Sequence, residues 1–503
     1  MNSRPDTHPV LGPGFSGGQA WAWAVLLMLA AMATGLALTF FNPVTFAVAL
    51  AALACGIGFV WACIAFPVAT LCFVVLCQII VPIYIRLPMK IPPALLMLAM
   101  LIAISAAQRM LNPVPTKYGK YHTLMATALI VYNVAMLLTL PSPYASSGSL
   151  FFYIKAVIIP TSLFFVFLGI AKEPRHVRYV LNAVTLGAVM CAALGINEYI
   201  TKNNILADWF APEVSIDEDF FLWFLANTEN TEDGFVTGTV YRVYSFFTQP
   251  LEYAAFMIMS FPFPALMFVT AKTWPKRLIY GFATFAIFAG FIVSFSRGPT
   301  LALAIAILFM GVFEKRVRPW IIAGTFALAV FLITYWPLIV EKLSARVTST
   351  ENVTLRLSLW ENGLKIFLEN PLRGIGYGSY PNYHVQSIRE NQIGPMYEYT
   401  WPHIERVTTV ENIFVTLAAE TGLMGLSALA FLLGCGFYVF RRIDREFKGD
   451  EIRVLALASI TGGLCYLLSG MTVSNVTLYT VTCLFFGVFL ASLTVLTRQL
   501  PDK

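Results

Sequence analysis

Apolar runs of about 18 residues or more recur along almost the whole of this 503-residue chain. No other feature restricts the fold as strongly. A run of this length in a bilayer must satisfy its backbone donors and acceptors internally, which leaves helices or a closed β-barrel. A barrel requires short strands alternating polar and apolar residues, and the runs here are continuous. The expected fold is an all-α polytopic membrane protein forming a single transmembrane domain over 1–503. Composition agrees, with 58% of residues hydrophobic and 12% charged, against roughly 25% charged in soluble proteins.

About fourteen spans of about twenty residues are expected. They fall at 20–40, 44–64, 67–84, 93–108, 122–140, 150–171, 179–200, 249–271, 278–295, 299–314, 319–340, 411–440, 454–470 and 475–497. Pro82, Pro88, Pro92 and Pro93 crowd the connection between the third and fourth, so the total is about twelve to fourteen. Alternate connections carry the cations: Arg109, Lys117 and Lys120; Lys172, Arg175 and Arg178; Lys272, Lys276 and Arg277; Lys315, Arg316 and Arg318; and Arg441, Arg442, Arg445, Lys448 and Arg453. By the positive-inside rule these connections and both termini are cytoplasmic. The link Pro141 to Gly148 contains neither Lys nor Arg, as an outer link should. Trp21 to Phe40 lacks a cleavage site and is expected to be a retained first span. The eight cysteines all lie in apolar runs without metal-ligand spacing, so packing is their expected role.

Two outer segments are long, and long loops on a compact bundle tend to carry function. Residues 201–248 form an expected periplasmic loop, acidic at Asp208, Glu213, Asp217, Glu218 and Asp219 and ending in Tyr241-Arg242-Val243-Tyr244. Residues 341–410 form a larger one, with Arg346, Arg356, Arg373, Arg389 and Arg406. Within it Leu355, Leu357, Leu359, Trp360, Leu364, Phe367 and Leu368 recur at near-helical spacing, with Arg356, Glu361 and Lys365 between them, predicting an amphipathic helix at the interface. Gly374-Ile375-Gly376-Tyr377-Gly378 then breaks it. Its glycines either bring backbone close to a ligand or form an ordinary turn.

Several residues here have the chemistry to act on an anionic substrate. Arg297 sits in Ser294-Phe295-Ser296-Arg297-Gly298 between two spans. An arginine at membrane depth faces protein, water or an anion, and its guanidinium binds phosphate oxygens through two donors. The alternative is an interfacial arginine capping helix carbonyls. Arg242 and Arg356 are further candidates, each beside aromatics. Lys155 near an outer helix end is expected to snorkel. His384 and His403 are the outer histidines. Glu411 stands at a helix start, where either the helix dipole accounts for it or it accepts a proton as a general base. The run Asp217-Glu218-Asp219 lacks convincing ligand spacing for a divalent cation and is expected to be solvated.

Taken in order, four stretches resemble the O-antigen ligase and Wzy-type polysaccharide polymerase superfamily. These are Arg242 with Phe246-Phe247-Thr248-Gln249-Pro250, the Ser294–Gly298 turn, Leu355-Arg356 through Trp360 continuing to Asn370–Gly378, and Glu411-Asn412-Ile413-Phe414 followed by Glu420-Thr421-Gly422-Leu423-Met424-Gly425. The matching core spans about 235–440; the first half is similar only in being hydrophobic. The resemblance implies a GT-C-like, inverting, metal-independent glycosyltransferase of the bacterial inner membrane, without a cofactor. Its donor would be a glycan on undecaprenyl pyrophosphate, used at the periplasmic face among membrane lipids. A flippase and a chain-length regulator would be partners, and nothing points to nucleic acid.

In that reading Arg242, Arg297, Arg356, Arg373, Arg406 and Tyr377 contact the pyrophosphate or glycan, and Glu411 and Arg297 are catalytic. Where the ligases of this superfamily have His, this chain has Glu411, a departure that favours a polymerase. A ligase, a transporter of lipid-linked glycans and a scaffold in glycan export are the alternatives. Transporters commonly show internal repeats and mid-membrane charges, and neither is evident in this sequence.

Overall fold

The structure, a computed structural model, describes residues 43–81, 93–111, 119–206, 243–247, 250–324, 326, 351–383, 410–472 and 478–500, with backbone only at 43–53 and 351–355. The expected span at 20–40, most of that at 319–340, and Arg242, Arg346, His384, Arg389, His403 and Arg406 lie outside the described residues. So do Asp217, Glu218 and Asp219. The chain divides into two compact units, Met1–Thr70 and Leu71–Lys503. The first contains helix α1, Pro43–Ala65, at whose end the Trp61 and Phe66 rings meet edge to face at 5.5 Å.

The second unit is an all-helical bundle, with no strand among the described residues. Helix α2 is Pro67–Ile80 and belongs to it from Leu71 onward. Then follow α3 (Pro93–Leu111), α4 (Lys120–Thr139), α5 (Ser147–Ile170) and α6 (Pro174–Thr201). Next are α7 (Pro250–Thr270), α8 (Trp274–Ile292), α9 (Arg297–Phe313) and α10 (Glu351–Glu369). The last are α11 (Ile413–Glu446), α12 (Glu451–Ser469) and α13 (Tyr479–Gln499). Eight of these helices are long and apolar enough to cross a membrane. The expected span at 67–84 is the 14-residue α2, shorter than a bilayer core requires. Helix α8 begins with Lys276 and Arg277 in its first turn, which dilutes its apolar stretch.

Helix α13 is the axis of the bundle, since every residue of its most apolar window is buried. It carries a π-helical stretch, Leu484–Leu490, where Phe485 stacks on Tyr466 of α12 with centroids 4.4 Å apart. Where lipid rather than water surrounds the helices, close packing replaces hydrophobic drive and small residues mark the contacts. A Cβ on Gly290 of α8 would lie 2.8 Å from the Ala192 backbone of α6, and one on Gly487 would lie 2.4 Å from Leu163.

Arg109, Arg178, Arg453 and Arg498 gather at one end. Arg453 pairs with Glu314 at 3.0 Å and Asp444 at 2.8 Å. Arg178 pairs with Glu451 at 2.7 Å. Arg109 donates to the Phe165 carbonyl at 2.8 Å, and Arg498 donates to those of Ala171 and Leu168 at 3.0 and 2.9 Å. Arg109 and Arg498 thus lie at the carbonyl end of α5, where the dipole favours cations. The other end of the bundle carries the candidate site.

Candidate functional site

Helix α6 delivers the first element. Glu198, fully buried near its end, accepts the backbone N–H of Tyr244 at 3.2 Å and of Ser245 at 2.8 Å. Asn204 Nδ2 donates to the same carboxylate at 3.0 Å. A buried carboxylate is tolerable only when donors surround it in this way. Ser245 adopts φ 52°, and its hydroxyl donates to the Cys191 carbonyl at 2.9 Å. Glu198 therefore fixes the backbone immediately after Arg242. In Glu198→Ala two backbone donors lose their buried acceptor, each costing about 1–3 kcal/mol. A clear drop in the detergent-solubilised melting temperature is expected, and an unchanged melting curve would show that Glu198 is not a staple.

The second element is the turn between α8 and α9. Phe295 adopts φ 48° and its ring lies 5.7 Å from that of Tyr199 on α6. Ser294 and Ser296 are buried, whereas Arg297, the first residue of α9, is exposed. Ser296 precedes the helix without a side-chain cap. The positive end of the α9 dipole and the guanidinium therefore share one place, a setting that favours anions. Gly298 is packed so closely on Thr472 that a Cβ would lie 2.2 Å from its hydroxyl.

That contact leads to the third element. Thr472 follows the end of α12, and the start of α11 is bonded to the same end. Ile413 N–H donates to the Gly470 carbonyl at 2.7 Å and Asn412 Nδ2 to the Met471 carbonyl at 3.0 Å. Asn412 caps α11, accepting from the N–H groups of Phe414 and Val415 at 2.9 and 3.2 Å. Glu411 is therefore not the cap. It stands one residue earlier at φ 53°, a conformation that costs a non-glycine residue about 1–2 kcal/mol, and accepts from Arg356 Nε of α10 at 2.9 Å. Both side chains of this pair are roughly two-fifths exposed, so its stabilisation is about 1 kcal/mol at most. One unbroken set of contacts runs from the Arg297 turn through Thr472, Met471 and Asn412 to Glu411 and Arg356.

The glycine loop after α10 forms the fourth element. Glu420, buried in α11, accepts the N–H of Gly378 at 3.0 Å and of Tyr380 at 3.1 Å. Ile375 and Gly376 donate to the carbonyls of Ala419 and Glu420, both at 2.9 Å. Helix α11 breaks at Gly422, φ 60° and ψ −154°, and Leu423 N–H donates to the Pro371 carbonyl at 2.8 Å. Two left-handed glycines, Gly374 and Gly422, thus lay backbone on backbone. The Ser149 hydroxyl of α5 holds the Gly378 carbonyl at 2.9 Å, and Ser142 holds that of Ile375.

Arg373 is exposed and donates to the Leu138 carbonyl at the end of α4 at 2.5 Å. It lies just past the end of α10, whereas Arg356, the partner of Glu411, lies near the start. Tyr377, expected to touch substrate, is fully buried, its ring 5.4 Å from Phe152 and 6.3 Å from Tyr153. Burial also pushes its hydroxyl well above the usual tyrosine range. Its ring holds the loop on α5 and does not face open solvent. Lys155 lies in the π-helical turn of α5 with its ammonium 5.9 Å from the Tyr479 ring.

Sequence reasoning missed Glu198, Asn412 and Thr472. The signal for Glu198 was present, because a carboxylate inside an apolar helix is rare and needs partners. Nothing in the local sequence marks Thr472. Among the described residues no group of three or more His, Cys, Asp or Glu side chains is arranged to hold a metal ion.

No curated protein matches the chain. Residues 282–430 match the family model described as O-antigen ligase, an interval that runs from α8 to the middle of α11. It contains the Arg297 turn, α10, the glycine loop, Glu411 and Glu420. The match covers under a third of the chain and supports its resemblance to the O-antigen ligase and Wzy-type superfamily; with eight described helices long and apolar enough to cross a membrane, it points to an integral membrane protein.

Proposed function

We propose that the protein is a polymerase that joins oligosaccharide repeat units carried on undecaprenyl pyrophosphate, at the periplasmic face of a bacterial inner membrane. The observation that carries this reading is the contact set joining the Arg297 turn to Glu411 and Arg356. It gathers a cation for a leaving pyrophosphate and a carboxylate for an attacking hydroxyl at one end of the bundle. As the acceptor hydroxyl attacks the anomeric carbon, the bond to the lipid pyrophosphate breaks with inversion, and negative charge collects on the departing phosphate. The guanidinium groups of Arg297, Arg356 and Arg242 stabilise that charge. Arg356 aims the Glu411 carboxylate through its hydrogen bond, and the carboxylate accepts the hydroxyl proton. The cationic end faces the cytoplasm with both termini, and a flippase and a chain-length regulator work beside the polymerase.

The description of the matching family favours ligation to a core lipid or protein as the second reading. Glu411, standing where those ligases have His, argues for the polymerase. Deletion in the native host separates the two. Single repeat units stranded on the lipid carrier mean polymerase, and long chains stranded there mean ligase. Unchanged glycans under conditions of expression would remove both. In the same assay Glu411→Gln is expected to lower turnover far more than Glu411→His, because glutamine cannot take up a proton at neutral pH. Wild-type activity in both variants would leave Glu411 without a role as base.

A further inference from the structure

Helix α10 has three distinct faces, and one of them is unexplained by contacts among the described residues. Leu359, Ile366 and Gly363 are buried against Val410, Ala419 and Tyr380. Glu361, Lys365 and Glu369 are exposed and form a charged sector. Between the charged and the buried faces, Leu357, Leu364 and Leu368 fall within about 40° of one another at 3.6 residues per turn, and all three are exposed, Leu368 by 75%. Leu372, 69% exposed, continues the edge just past the helix. A helix in water gains nothing from such an edge, whereas a helix at a bilayer surface needs one apolar face and one charged face.

The attachments of α10 set its direction relative to the spans. Near its start, Arg356 is paired with Glu411, two residues before Ile413, which is bonded to the far end of α12 at Gly470. Just past its end, Arg373 is bonded to the far end of α4 at Leu138. Helices α4 and α12 both rise from the cationic end of the bundle, at Lys120 and Arg453, and have nearly equal lengths of 20 and 19 residues. The two ends of α10 are therefore held at similar heights, and the helix, about 28 Å long at 1.5 Å per residue, lies across the bundle end. Its apolar edge also joins surface that the spans already present to lipid. Met424, beside the exposed Leu423 of α11, is bonded to Leu372, and Leu137 and Leu138 of α4 are exposed next to the Arg373 contact.

We infer that α10 is a surface-lying membrane helix whose Leu357–Leu364–Leu368–Leu372 edge is seated among the acyl chains of the leaflet on the Glu411 side. The bilayer is its partner, and the seating fixes the Arg356–Glu411 pair at headgroup depth. This placement follows from the attachments and exposure, and it is independent of which glycan is handled.

The test uses the full-length chain carrying Cys55→Ala, since Cys55 is the exposed native thiol among the described residues. Spin labels are attached through Leu364→Cys, Leu368→Cys or Leu372→Cys on the edge, and through Glu361→Cys or Lys365→Cys on the charged sector. All five positions are exposed, so folding is undisturbed. In vesicles of phosphatidylethanolamine and phosphatidylglycerol, the ratio of oxygen to nickel-chelate collisions is expected to be several-fold higher on the edge than on the charged sector. Nickel dominance at position 368 would place the edge in water and overturn the inference. Exclusion of both reagents there would show that a second copy or another part of the chain covers the edge, which overturns it equally.

Discussion

Arg297→Ala is expected to abolish long-chain glycan in the native host while membrane insertion and abundance stay at the wild-type level. Arg297 is exposed at the first position of α9, and no packing depends on it. Alanine is the best helix former, so the fold has no reason to suffer. What is lost is a guanidinium placed at the positive end of a helix, on the turn that joins the Glu198 staple to the start of α11. Removing one preorganised donor from a developing oxyanion costs about 100- to 1000-fold in turnover. Arg297→Lys retains charge without the two-donor geometry and is expected to restore only part of the activity. Glycan length on gels, normalised to the immunoblotted protein, reads both variants. Normal-length glycan from Arg297→Ala would end the role assigned to this residue.

Gly422→Ala is expected to have the largest effect on stability, with Gly374→Ala close behind. The backbone of Gly422, at φ 60° and ψ −154°, lies in a region that essentially only glycine occupies. A Cβ there would lie 2.5 Å from the Leu372 carbonyl carbon and 2.7 Å from the Arg373 nitrogen. At Gly374 it would lie 2.3 Å from the Glu420 carbonyl carbon. The neighbours are backbone and cannot rotate away. Strain of about 1–3 kcal/mol and overpacking of a similar size add together. The expected outcome is a destabilised protein whose glycine loop no longer lies on α11, seen as a large fall in melting temperature and faster proteolysis within 370–383. A variant with unchanged melting and proteolysis would show that the backbone stack is dispensable.

The apolar runs made the helical framework legible, because period and length alone separate a span from a soluble helix. Most expected spans coincide with described helices, and the amphipathic pattern after Leu355 is α10. The shortness of α2 was not legible, since it depends on how neighbouring helices receive the chain. The site was legible in part. Arg297, Arg356 and Glu411 were identified from charge in an apolar setting, and the structure joins them. It also separates Arg373 from them and buries Tyr377. Glu411 at a helix start was open to two readings, a partner of the helix dipole or a base, and the capping place belongs to Asn412 through its bonds to Phe414 and Val415. The unusual backbone at Ser245, Phe295 and Glu411 was invisible, because none of these residue types announces a left-handed conformation.

With the Asn204 side-chain amide added at Glu198, Glu198 and Glu420 each hold a loop through two main-chain N–H groups. Every residue except proline offers that group. These four bonds therefore place almost no demand on the side chains of the residues that donate them, whereas the backbone shape at Ser245, Gly374, Gly376 and Gly378 does place one. The fastening at Tyr244 and Tyr380 would outlast replacement of either side chain. For protein engineering, an exchange of loop residues between relatives has to keep the pair of acidic pins and the positive-φ positions.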